Sequence, residues 1–197
     1  MPDTSRRSEL ADAAIVTLAR DGSRGLTHRA VDRAAGVPEG STSFYYRSRL
    51  DLLRATVRRL AELDAAEIPT LPETSGSDFA SAFSVVVAHL LTDGRDRQLA
   101  RYQLLFEADR QPELQESLAA SAARIRGLVA ERFAALGVGE PDERAQDFLT
   151  LVDGLLFNQL VGASGRALHG PALRDLVTRI LVAVGVQQAM TEALERS

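Results

Sequence analysis

Apolar positions recur at helical spacing along almost the whole chain. Between Ser5 and Arg20, Leu10, Ala14 and Leu18 repeat every four residues with Ile15 beside them, and Gly22 follows as a stop. Thr27 is placed to cap a second helix, HRAVDRAA, which Gly36 ends. Ser48, with Asp51 three residues on, matches a capping box and opens a long helix through Leu52, Leu53, Val57 and Leu60. The clearest break is IPTLPETSGS, Ile68 to Ser77, with two prolines and a glycine among polar residues. Beyond it the pattern predicts helices near 78–92, 95–109, 112–136, 141–163 and 171–186, punctuated by Gly94, Pro112, GVGEP and HGP. No stretch alternates strictly, so the predicted class is all-α, in two parts: 1–60 and 61–197.

Between the second helix and the capping box lies GVPEGSTSFYYRSRL, Gly36 to Leu50, too poor in aliphatics for a buried helix and too aromatic for a linker. Two short helices joined by a tight glycine-containing turn, the second carrying small polar residues, is the sequence form of a helix-turn-helix. A recognition helix enters the major groove end-on, so its first turn must be small, as Gly40, Ser41 and Ser43 allow. Hydroxyls and N–H groups at the helix start suit phosphates and base edges. A tyrosine offers a flat face to a thymine methyl and a hydroxyl to a phosphate.

The stretch LTHRAVDRAAGVPEGSTSFYYRSRLDLL, Leu26 to Leu53, resembles the DNA-binding domain of the TetR family of transcriptional regulators. The resemblance rests on Thr27, on Ala35, Gly36 and Val37, on Gly40 and Ser41, on Phe44, Tyr45 and Tyr46, on Ser48 and Arg49, and on Leu52 and Leu53. It implies that Thr27, His28 and Arg29 face DNA and that Glu39, Gly40, Ser41, Ser43, Phe44 and Tyr45 form the reading surface. It also implies that Tyr46 turns inward and that Arg49 grips a phosphate. The sequence departs from the family pattern at three places. Asp32 stands where alanine is usual, Pro38 where a capping hydroxyl is common, and Thr42 and Ser43 where a Leu-Tyr pair is common.

The second part reads as an effector-binding and dimerisation domain. FLTLVDGLLFNQLVGA is apolar nearly all round, and the last helix carries Leu173, Leu176, Val177, Ile180, Leu181 and Val184 at the spacing of one face. Such a pair suits an intersubunit four-helix bundle, as the resemblance also implies, with Leu156 and Leu160 joining the interface. The same pattern could instead complete the core of one chain. For a small-molecule pocket, the candidates are Phe83, Val87, Leu91, Tyr102 and Phe106, with Asn158 as a hydrogen-bonding group in an otherwise apolar helix. Asn158 also suits a hydrogen bond across a dimer.

Charge adds one feature. Residues 1–60 hold eleven arginines against seven acids, a net +4, and the rest of the chain carries −8, so an anionic partner is expected at the head. All 23 basic residues are arginine, which leaves no lysine for a Schiff base. No cysteine occurs, so disulfides and thiolate metal sites are excluded, in keeping with a reducing cytoplasm. The start of the chain has no signal-peptide apolar region, and no apolar run is long enough for a bilayer, so a cytoplasmic protein without membrane insertion is expected. GASGRALHG misses the G-x-S-x-G elbow, and His28, His89 and His169 fall in separate segments, so neither catalysis, metal nor cofactor is predicted. The expected function is a homodimeric, ligand-responsive repressor on a palindromic double-stranded operator. The alternative is a helical small-molecule sensor or scaffold without specific DNA binding.

Overall fold

A computed structural model describes residues 2–67, 76–162 and 167–186. Among them the chain forms α1 (Pro2–Gly25), α2 (His28–Ala35), α3 (Ser41–Tyr45), α4 (Arg49–Glu67), α5 (Gly76–Leu91), α6 (Arg95–Ala108), α7 (Pro112–Ala135), α8 (Pro141–Leu160) and α9 (Gly170–Ala183). The fold is all-α. Most of the proline- and glycine-rich break expected at Ile68 to Ser77 lies outside the described residues. No helix among those described is long and apolar enough to cross a membrane.

The chain packs as two compact units, and neither is continuous in sequence. The first combines Met1–Leu63 with Gly94–Ala122. Its core takes the predicted stripe of α1 (Leu10, Ala14, Leu18) and that of α4 (Leu52, Leu53, Val57, Leu60), all buried. It also takes Ala100, Leu104 and Ala108 of α6 and Leu114 of α7, which a division at residue 60 assigns to the other part. The reason is surface area: helices as short as α2 and α3 bury little, so the head completes its core with α6. Arg59 of α4 ties α1 with two hydrogen bonds to Asp12, at 2.7 and 3.1 Å.

Gly22 breaks α1 where the pattern places a stop, with φ 70° and ψ −178°. The chain then makes a last short turn to Gly25. The capping box forms as predicted: the Ser48 N–H donates to the Asp51 carboxylate at 3.0 Å, and the Asp51 N–H donates to the Ser48 hydroxyl at 3.1 Å.

The second unit combines Asp64–Asp93 with Ala123–Ser197. Its centre is a cluster of four buried phenylalanines from three helices: Phe79 and Phe83 of α5, Phe133 of α7 and Phe148 of α8. Phe83 and Phe148 meet edge to face at 4.8 Å between centroids, and Phe133 and Phe148 do so at 5.5 Å. Around them pack Val152, Leu155 and Leu156 of α8 and Leu173, Val177, Ile180 and Leu181 of α9.

Candidate nucleic-acid interface

Thr27 caps α2 by accepting a hydrogen bond from the Ala30 N–H at 3.1 Å, and Gly36 closes the helix in the left-handed conformation, φ 66°. Pro38 leaves the start of α3 without a capping hydroxyl, and no side chain at the N-cap itself, Gly40, replaces it. Asp32 does so from α2. Its carboxylate accepts from the Gly40 N–H at 2.8 Å, the Thr42 N–H at 2.7 Å and the Thr42 hydroxyl at 2.6 Å. Asp32 is 1% exposed and Thr42 wholly buried. Burial alone would push the Asp32 carboxyl up, but the Thr42 hydroxyl, the two N–H groups and nearby His28 outweigh it and hold the carboxyl below its ordinary range. The three departures from the family pattern are thus one device. An acid on α2 replaces the missing cap, and a threonine on α3 gives it a hydroxyl to bind.

That device uses the N–H groups that sequence reasoning offered to phosphates. Gly40 and Thr42 donate to Asp32, and Ser41 donates its N–H to the Pro38 carbonyl at 3.1 Å. The hydroxyl protons of Ser41 and Ser43 also go to backbone carbonyls, of Pro38 and Gly40. Their oxygens remain acceptors. Gly40 adopts φ 94°, and a Cβ there would meet nothing within 4 Å, so conformation and not space requires glycine.

The face of α2 and α3 turned to solvent carries most of the residues named from the sequence. Thr27, Arg29, Glu39, Gly40, Ser43 and Phe44 are exposed, Phe44 to 70%, while Ser41 and Tyr45 are half-buried. Phe44 and Tyr45 meet edge to face at 5.1 Å, and Arg29 approaches Glu39 at 3.8 Å with both side chains in solvent. Tyr46 turns inward, 4% exposed, and its hydroxyl donates to the Arg7 carbonyl at 2.9 Å.

Two named residues are engaged within the protein. The Nε2–H of His28 donates to the Tyr46 carbonyl at 2.8 Å, so this ring braces the end of α3. Arg49 pairs with Glu107 of α6 at 2.7 Å and donates to the Ser23 carbonyl and hydroxyl, each at 2.8 Å. Glu107 also accepts from the Ser23 hydroxyl and from the Gln111 amide. The Ser23 hydrogen bond, against the opposing effect of burial and together with Arg49 and Gln111, holds its carboxyl below the ordinary range. The Gly22 break makes this node possible by turning Ser23 toward α6, where its N–H also reaches Gln103 at 3.4 Å.

The pocket candidates are divided between the two units. Phe83 and Val87 are packed in the core of the second unit with Leu91 at its edge. Tyr102 is buried in the first unit, whereas Phe106 is 68% exposed, and Asn158 lies on the exposed side of α8. A buried polar group that sequence reasoning missed is Gln98 of α6, 1% exposed, whose side-chain oxygen has no hydrogen-bond partner among the described residues.

The residues expected at a dimer interface are placed as follows. Leu156, Leu173, Val177, Ile180, Leu181 and Val184 are all buried within their own unit, and Leu160 and Leu176 are half-buried. The apolar stripe of α9 fills the monomer's core because the phenylalanine cluster needs a wall there. The large apolar side chains left exposed on α8, at its C-cap and on α9 are a different set: Leu151, Phe157, Val161 and Val182.

Comparison with known proteins agrees with this architecture. Residues 74–183 match the family model described as the tetracyclin repressor-like C-terminal domain. The chain is 31% identical over 180 residues to the HTH-type transcriptional regulator BetI of Serratia proteamaculans (strain 568), covering 88% of this chain and 91% of that protein. The crystal structure of the multidrug binding protein EbrR with ethidium superposes with a TM-score of 0.67 at 27% identity, over 89% of this chain and 98% of that one. A transcriptional regulator from Rhodococcus sp. Rha1, 20% identical, shares the fold with a TM-score of 0.74 over 90% of this chain and 95% of its own. A helix-turn-helix head and a matched C-terminal domain, supported by a relative alike over nearly the full length, make this chain a member of the TetR family of DNA-binding transcriptional regulators.

Proposed function

We propose that the protein is a homodimeric repressor that binds a near-palindromic operator and leaves it when a small molecule binds. The observation that carries the reading is the exposed face of α2 and α3, where Phe44 and Tyr45 project beside small residues over a scaffold locked by Asp32. The ring of Phe44 suits a thymine methyl and Arg29 suits a guanine edge or a phosphate. With few bidentate readers on α3, DNA shape carries part of the specificity. Residues 1–60 supply the reading head and residues 61–197 the effector and dimer functions.

Two copies place two heads about one DNA turn apart, ~34–36 Å, and so multiply modest half-site affinities. The exposed stripe of α8, with Val182 of α9, is the surface suited to that pairing. Gln98 is a candidate polar contact for the effector. Release needs a coupling of only ~1–3 kcal/mol between effector and DNA sites. EbrR has been crystallised with ethidium and with proflavin, which makes planar cationic dyes the first effectors to try.

The test is selection of bound sequences from random duplex DNA, with Phe44→Ala/Tyr45→Ala as control. A palindromic motif that the control loses supports the reading. A folded wild-type protein that enriches no sequence favours the non-DNA-binding sensor instead. Addition of dye to the selected complex then tests release.

A further inference from the structure

Resting on that reading, we propose that Glu39 reads a base and requires a cytosine under the start of α3 in each operator half-site. Glu39 follows Pro38 in the turn between α2 and α3, and its side chain is 66% exposed. Its carboxylate stands 3.8 Å from the Arg29 guanidinium, too far for a hydrogen bond, and the Arg29 side chain is 77% exposed. An exposed ion pair of this length contributes little, so both groups can turn to DNA at small cost. A carboxylate on a DNA-binding face is repelled by every phosphate it approaches. It is stable there where a base edge donates to it, and in the major groove the cytosine N4 amine is the donor that suits it.

The groups around Glu39 point to the same base. The Gly40 and Thr42 N–H groups go to Asp32 at 2.8 and 2.7 Å, and the Ser41 N–H goes to the Pro38 carbonyl. The Ser41 and Ser43 hydroxyls donate to the Pro38 and Gly40 carbonyls at 2.7 and 2.9 Å. The side chains at the start of α3 therefore offer acceptors outward: two serine oxygens and the Glu39 carboxylate. Arg29 of α2, beside them, offers donors. In the major groove a guanine presents its O6 and N7 acceptors and its cytosine the N4 donor, so donors and acceptors side by side match G·C pairs. Adenine also donates, from N6, but its N7 acceptor lies next to that amine and would face the carboxylate. An amide, which donates as well as accepts, suits adenine instead. Cytosine is thus the base that a carboxylate at this position selects.

Selection from random duplex DNA, run on Glu39→Ala and Glu39→Gln beside the wild type, tests the assignment. The wild-type motif is expected to require a cytosine in each half-site that Glu39→Ala no longer requires, and Glu39→Gln is expected to accept adenine there. By fluorescence anisotropy, Glu39→Ala should bind the wild-type duplex roughly tenfold more weakly, the scale of one base-reading side chain. The same variant should bind a mixed-sequence duplex as well as the wild type or better, because it lacks a charge that phosphates repel. The side chain is exposed, so the melting temperature of both variants is expected to be unchanged. Identical base requirements in the wild type and Glu39→Ala overturn the inference while the regulator reading stands. So does an equal loss of affinity for both duplexes, which would mark Glu39 as part of the scaffold. A wild-type protein that enriches no sequence overturns both.

Discussion

Asp32 shows how one side chain can set the orientation of a recognition helix. An aspartate on the buried side of α2 is costly in isolation, yet here three donors from α3 satisfy it at 2.6 to 2.8 Å. Replacing it with alanine strands two N–H groups and a buried hydroxyl, so Asp32→Ala is expected to cost about 3 kcal/mol of unfolding free energy. Thr42→Val removes only the hydroxyl donor and is expected to cost about 1 kcal/mol. The pair should be non-additive in a double-mutant cycle, because either change alone breaks the same bond. Urea denaturation of the three variants checks this, and strictly additive losses would refute the proposed link. Asp32→Asn is no neutral substitute, since its amide would turn a donor toward one of three donors.

At the scale of elements, α1, α4 and α6 meet at a polar node of Ser23, Arg49, Glu107, Gln103 and Gln111. Its pH dependence follows from the direction in which Glu107 is displaced. A carboxyl held below its ordinary range in the folded state contributes stability above the unfolded value, about pH 4.3 for glutamate, and loses it as pH falls toward the folded value. Asp32 has the same sign. Melting temperature is therefore expected to be level with respect to these groups from pH 7 to 5 and to fall below about pH 4.5. In Glu107→Gln the acid-side fall should be shallower and the neutral-pH stability lower. An acid limb identical to the wild type would show that Glu107 is not displaced.

For the whole molecule, burial separates residues that hold the unit together from residues that can hold two copies together. Phe148 touches Phe79, Phe83 and Phe133, and its truncation to alanine belongs to the class costing ~3–5 kcal/mol. Leu151 of α8 and Val161 just past its end are 45% and 53% exposed. Leu151→Glu/Val161→Glu is expected to leave helix content intact and to convert a dimer to a monomer by light scattering at micromolar concentration. Val177→Glu, wholly buried in the unit core, is expected to unfold the chain instead. Persistence of the dimer in the α8 double variant would place the interface elsewhere.

Periodicity predicted the helices after the break, local capping preferences predicted the capping box at Ser48 and Asp51 and the stop at Gly22, and the family resemblance implied the inward turn of Tyr46. These are local matters, decided by spacing, caps and backbone preference within a few residues. The helix-turn-helix motif was legible for the same reason. What only the tertiary structure decided is where each polar group finds its partner. Asp32 looked like a flaw in the packing of α2 until Thr42, ten residues on, supplied its donors. Arg49, expected at a phosphate, also finds a carboxylate partner in Glu107, fifty-eight residues on. The stripe of α9 fits an interface and a core equally well as a pattern, because a helix records that one face is apolar and not which apolar surface will cover it. Local sequence determined the elements; long-range pairing determined which residues remain available to DNA and to a second copy.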